Sequence, residues 1–243
     1  METGKTTRYL KYAIGEIILV VIGILIALSI NNWNEQRKEN EQAVNFLKRL
    51  VPEMESNIDE INKNIARVDT IGNSARALLN MFHEPNVEDL NKEEINRAIN
   101  NVLKSTGIDL KMETLSEGIN NGSVALIPSD TLRNRLYSWR TMVEDIQHSE
   151  AINNEDLNSY LVPFLYDNFN WRQMDYQFSS FEKDTKGSAF NTEFRTIFLS
   201  QKFENLIDNR YFYNYKIKED FEALLSELKE TKSVLLKTLE AND

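Results

Sequence analysis

Residues 13–30 read AIGEIILVVIGILIALSI, an 18-residue run whose single charge is Glu16. At 1.5 Å per residue this is ~27 Å of helix, against a bilayer hydrocarbon thickness of ~30 Å. Tyr9 and Tyr12 precede the run and Trp33 follows it, where interfacial anchoring aromatics belong. Asn31, Asn32 and Asn34 mark the return to water. No other apolar stretch approaches this length, so the sequence predicts one membrane span. A cleaved signal peptide fits less well, although Ala27-Leu28-Ser29 offers a small-residue site. Its apolar core would be shorter, would lack a Glu, and would be followed by a polar stretch before that site. The run is read as an anchor.

Working outward, the charge divides at the same place. Residues 1–38 hold 5 basic and 3 acidic side chains, a net +2, and the rest hold 23 basic and 35 acidic, a net −12. The whole-chain mean hydropathy of −0.47 averages over these two unlike parts. An acidic body repels nucleic acid, so no nucleic-acid partner is expected. With no Cys, disulfides and thiolate metal sites are excluded. Lys5, Arg8, Lys11 and the amino terminus lie before the span, and Arg37 and Lys38 just after it. The positive-inside rule then puts the amino terminus in the cytoplasm and the large domain outside it.

Gly23 and Ala27 form a small-xxx-small pair, which lets two helix backbones approach in lipid. Glu16, Gly23 and Ile30 are spaced by seven and share a helix face. Two readings stand. Spans of several copies meet along this stripe with Glu16 inside, or Glu16 sits about one turn below the interface, reached by headgroups and water near the positive end of the helix dipole.

Tyr12 to Glu35, YAIGEIILVVIGILIALSINNWNE, resembles the N-terminal signature of a family of uncharacterised single-span proteins from Gram-negative bacteria. The matching parts are Gly15-Glu16-Ile17, Val21 to Leu28, and Asn31 to Glu35; Ser29 departs from the Gln more common in the family. A weaker likeness runs from Thr114-Leu115-Ser116-Glu117-Gly118 through Leu126-Ile127 to Leu132-Arg133-Asn134. The resemblance implies a single-pass protein of the bacterial inner membrane and implies no chemistry.

Beyond the span the apolar positions keep a three-four rhythm: Val44, Leu47, Val51, Met54, Ile58, Ile61, Ile65 and Val68, continued by Gly72, Ala75, Leu79 and Phe82. Traced backwards the register passes through Arg37, Ile30 and Gly23 to Glu16, so span and body form one rod with a single seam. Pro52 removes a backbone donor and predicts a kink, or else the first turn of a second helix. His83-Glu84-Pro85-Asn86 ends the rod, and short helices are expected at 92–104 and 112–119. Ser129 is a candidate N-cap for a long helix through Leu132, Leu136, Trp139, Val143, Ile146, Leu157, Leu161 and Phe164. Lys186-Gly187-Ser188 is a break, and the last helices carry Phe194 to Ile207 and Ile217 to Leu239. Nothing alternates with period two for long. The expectation is an all-α fold, with a basic tail at 1–12, a transmembrane helix at 13–30, and a helical hairpin or bundle at 31–243. The long seam is filled by the C-terminal helix or by another copy; the pattern allows both.

Chemistry is sparse. His83 and His148 lack metal-ligand spacing, no phosphate loop or nucleophile elbow is present, and the acidic clusters Glu53-Glu55, Asp59-Glu60 and Glu93-Glu94 read as solvated faces. No catalytic site, metal or cofactor is expected. Aromatics crowd the stretch Tyr160, Phe164, Tyr166, Phe169, Trp171, Tyr176, Phe178 and Phe181, with Tyr211-Phe212-Tyr213 and Tyr215 later. They either fill a helix crossing or, at Tyr166, Trp171 and Tyr176, grip a sugar or peptide. The function expected is a non-enzymatic, membrane-anchored scaffold, adaptor or assembly protein, as a homo-oligomer or with other membrane proteins. Two rivals stand beside it: a conducting assembly with Glu16 in the pore, and an extracytoplasmic ligand-binding sensor.

Overall fold

A computed structural model describes residues 3–84, 86, 90–178 and 186–241, with side chains described from residue 15 onward. The fold is all-α. Its first element, α1, runs without interruption over Thr3–Met81, 79 residues, or ~118 Å of helix. Between residues 15 and 32 every side chain is exposed, and those from Ile17 to Ile30 are overwhelmingly large and apolar. Among the described residues this is the one helix long and apolar enough to cross a membrane, and none of its apolar window is buried by protein. A core helix of a soluble domain would be covered by its neighbours; this one is bare.

Pro52 neither restarts the helix nor divides it. The residue lies on the exposed face, where water can take the place of the missing donor, and buried neighbours on the opposite face hold the helix across it.

From Ala43 onward α1 forms one wall of a three-helix bundle. The second wall is α4 (Asp130–Asp156), extended through a π-helical turn at Leu157–Leu161 into α5 (Val162–Asn168). The turn's i→i−5 bond, from Val162 N to Leu157 O, comes just before Pro163, which cannot donate. The third wall is α8 (Gln201–Glu240), which runs back antiparallel to both. Ion pairs fix the alignment: Lys218 reaches Asp69 at 2.7 Å and Lys232 reaches Glu55 at 2.6 Å, while Arg135 reaches Glu227 at 2.8 Å. Ser129 caps α4 through Leu132 N (3.3 Å) as expected, and Ser200 caps α8 through Phe203 N (3.3 Å).

The seam of α1 is satisfied within the chain, but in a register turned from the expected one. Leu47, Met54, Ile61, Val68 and Ala75 are buried as anticipated; their alternate partners are Leu50, Asn57, Asn64, Ile71 and Leu78. Val44, Val51, Ile58 and Ile65 flank the seam half-buried. The apolar pattern alone favours the second set, because the first contains two Asn. The same three-four alternation lines α4 from Leu132 to Leu157 and α8 from Phe203 to Leu235, the geometry of left-handed helical packing.

Two apolar cores result. One fills the bundle from Ala43 to Val68 of α1, including Trp139, Phe221 and Leu228. The other lies at the far end, where Ala75 and Leu78 meet α2 (Lys92–Val102), α5, α6 (Trp171–Phe178), α7 (Phe194–Phe198) and the start of α8. The Phe side chains concentrate there: Phe203 stacks on Phe164 (5.5 Å, 10°) and meets Phe198 edge-on (5.9 Å, 77°). α3 (Glu113–Asn120) returns along α1 toward the apolar stretch. It approaches so closely that a Cβ on Gly118 would overlap the Phe46 ring. Gly122 takes the left-handed turn that follows (φ 82°).

Candidate functional site

Glu16, Gly23 and Ala27 lie exposed on the unbroken helix, and among the described residues nothing beyond the local helix backbone and adjacent residues comes within 4 Å of a Cβ placed on Gly23. The Tyr9 and Tyr12 side chains, and Phe181, lie outside the described residues. Trp33 is 66% exposed, with the Arg37 guanidinium 6.0 Å from its ring centroid. The helix continues bare for about two turns more before Ala43 enters the bundle.

Polar residues buried in the bundle form a second feature. The connector between α2 and α3 has no regular structure of its own, yet Thr106, Ile108 and Leu110 are buried, so its backbone groups need partners. Side chains of all three long helices supply them. Arg210, 1% exposed on α8, donates to the carbonyls of Val102 (2.9 Å) and Lys104 and to Asn153 Oδ1 (2.6 Å). From α4, Asn154 Oδ1 accepts from Thr106 N (3.0 Å), Asn153 Nδ2 donates to Thr106 Oγ1 (3.1 Å), and Glu150 Oε2 accepts from Ile108 N (3.0 Å). From α1, Asn57 pairs with both the N–H (2.8 Å) and the carbonyl (2.7 Å) of Lys111.

Glu53 completes the row by accepting from Thr114 N (2.7 Å) and Leu115 N (3.1 Å). It caps α3 from a different helix, an anion at a helix N-terminus. This corrects the reading of Glu53 as solvated: it is 7% exposed, while its neighbour Glu55 is on the surface.

Burial shifts two of these groups from their ordinary values. It lowers the Arg210 pKa to about 10, opposed by the nearby Asp156 carboxylate. It pushes the Glu150 carboxyl up, opposed by the Ile108 N–H bond and by Arg67. Glu150 Oε1 has no partner among the described residues. Apart from Glu150 Oε1, the bonds these two groups make run to the connector and to Asn153.

A cleft of about 310 Å³ between α1 and α8 includes Gly72, Arg76, Asn214 and Lys218 in its lining. Asn214 is 1% exposed; its Nδ2 donates to the Arg210 carbonyl (2.8 Å) and its Oδ1 has no donor. Lys218 is held there by Asp69 and Glu222.

The aromatic stretch separates into two populations. Phe164 and Phe169 are buried in the far core. Tyr166 and Trp171 stack on each other at 5.0 Å and 25° in an open cleft of about 640 Å³ at the α5–α6 corner. Tyr176 does not line it; that side chain packs beside Gly187, and Phe190 takes the third aromatic position. Asn170 frames the cleft: its N–H donates to Thr192 Oγ1 (3.0 Å), its Nδ2 donates to the Phe190 carbonyl, and its Oδ1 accepts from Gln173 N (3.1 Å). Phe190 carried no signal in the sequence, being isolated in a polar stretch.

His83 and His148 are exposed and remote in sequence. Among the described residues no group of three or more His, Asp or Glu side chains converges as a metal site would require.

A family of unknown function (DUF6090) matches residues 16–133, a little under half of the chain. The match takes in the apolar stretch, α2, α3 and the first turn of α4, and ends before the aromatic cleft and α8. No curated protein and no solved structure matches the chain.

Proposed function

We propose that the chain is a single-pass protein of a Gram-negative inner membrane that acts as a scaffold or assembly component through protein contacts. Its acidic helical body stands outside the cytoplasm. The observation that carries this reading is the continuity of α1: a bare apolar stretch passes without a break into the wall of a packed bundle. Such a joint transmits position rigidly and does not act as a tether. Buried Arg210, Glu150 and Glu53 hold the chain's own connector and α3 in place, which supports a reading in which surfaces are the means of action. The partners are other copies of the chain or other membrane proteins, with no part for nucleic acid.

The test is the size of the native complex extracted in mild detergent. The reading expects an assembly clearly larger than one 28.3 kDa chain, with defined stoichiometry. A monomer that carries nothing with it contradicts the reading. The orientation has its own check, because the chain has no Cys. Glu39→Cys should react with a membrane-impermeant maleimide in intact spheroplasts; protection until lysis would place the body inside.

A further inference from the structure

The open cleft at the α5–α6 corner combines a stacked aromatic pair with carboxylates and no cation. Tyr166 is 69% exposed and Phe190 80% exposed, so two aromatic faces meet solvent. Asp167 and Glu193, both exposed, line the same cleft, and among the described residues no Lys or Arg side chain does. Trp171 backs Tyr166, with its Nε1 buried and without an acceptor among the described residues, as is that of Trp139. The Asn170 bonds to residues 190 and 192 hold the frame in place without a ligand.

We propose that this cleft receives an arginine or lysine side chain from a basic segment of a partner protein. A cation over the Tyr166 face is attracted by the ring's quadrupole, with guanidinium favoured because its plane stacks on the ring. Asp167 and Glu193 supply the opposite charge at the rim, and Phe190 offers apolar cover to the aliphatic stem. The body as a whole steers in the same direction, since residues 39–243 carry a net −12 that draws a basic partner and repels an acidic one. A neutral glycan also stacks on aromatics, but it gains nothing from that field. The inference rests on the protein-contact reading and gives it a surface and a partner chemistry.

The test uses the full chain in nanodiscs and a fluorescent hexa-arginine peptide, with a hexa-citrulline peptide and a neutral hexasaccharide as comparisons. Hexa-arginine should bind, hexa-lysine more weakly, and hexa-citrulline and the sugar not measurably. Tyr166→Ala, at an exposed position, should weaken binding about tenfold. Asp167→Asn with Glu193→Gln should weaken it at least as much, while Glu39→Gln with Asp59→Asn, an equal charge change elsewhere, should leave it within about twofold. Equal loss in both charge pairs would reduce the effect to bulk attraction and overturn the site. Binding of the hexasaccharide or of hexa-citrulline as tightly as hexa-arginine would overturn the cationic assignment. The two readings fail separately: a peptide that ignores Tyr166 leaves the size of the native complex untouched.

Discussion

The two ends of the helical body are built on different principles. Near the apolar stretch, three long helices interlock through three-four seams, and Glu53, Asn57, Glu150 and Arg210 from those helices bond to backbone groups between Val102 and Leu115. At the far end, short helices gather around interlocked Phe rings, a π-helical turn absorbs Pro163, and Tyr166 and Phe190 face water. The contrast separates support from contact. The near end ties the connector down, with Trp139 Nε1 and Glu150 Oε1 buried and without partners among the described residues; the far end leaves aromatic surface open at Tyr166 and Phe190.

The comparison breaks most severely at Phe203, which is fully buried between Phe82, Phe164 and Phe198. Phe203→Ala should lower stability by about 3–5 kcal/mol in urea unfolding, with hydrogen-exchange protection falling first in α2, α5 and α7. Equal loss at both ends would merge the two cores into one cooperative unit. The near end has its own weak point in Gly118. Gly118→Ala must push the Phe46 ring aside and should cost about 1–3 kcal/mol, with the far end unchanged in exchange.

The smallest effect concerns pH. Burial raises the Glu150 carboxyl above its ordinary value, so across the window between the two values the folded state holds the proton more tightly than the unfolded chain. Stability from this group is therefore greatest on the acid side and declines as pH rises through that window. Glu150→Gln keeps an acceptor for Ile108 N and removes the titration; it should flatten that part of the profile and be at least as stable as wild type at pH 7. A steeper decline in the variant would contradict the assignment. Asp220, also raised by burial, contributes the same sign in both proteins and leaves the difference between them intact.

Much of this architecture was legible from spacing. The apolar stretch, the α1 rhythm, the positions of α2 and α3, the Ser129 cap and the break at 186–188 all follow from local pattern. The register of α1 was not legible. Asn57 and Asn64 occupy core positions, and only the folded connector reveals that Asn57 pairs with Lys111 there. The pattern assigns Glu53 to a solvated face and gives Arg210 no role for the same reason: each serves a backbone group more than sixty residues away along the chain, which no local window can show. Pro52 does not start a second helix, because it lies on the exposed face of α1, off the seam that holds the helix in the bundle. In the cleft, Tyr166 and Trp171 were found by composition, whereas Phe190 needed the fold to bring it across from beyond α6.

The proposed scaffold depends on α1 being one rigid helix from the apolar stretch into the bundle. Spin labels at Glu39→Cys and Lys63→Cys bracket Pro52 on exposed positions. In nanodiscs, double electron–electron resonance should give a single narrow distribution near ~36 Å, the span of 24 helical residues at 1.5 Å each. A broad distribution, or a peak well short of that distance, would show the helix broken or sharply bent at Pro52 and would contradict the rod.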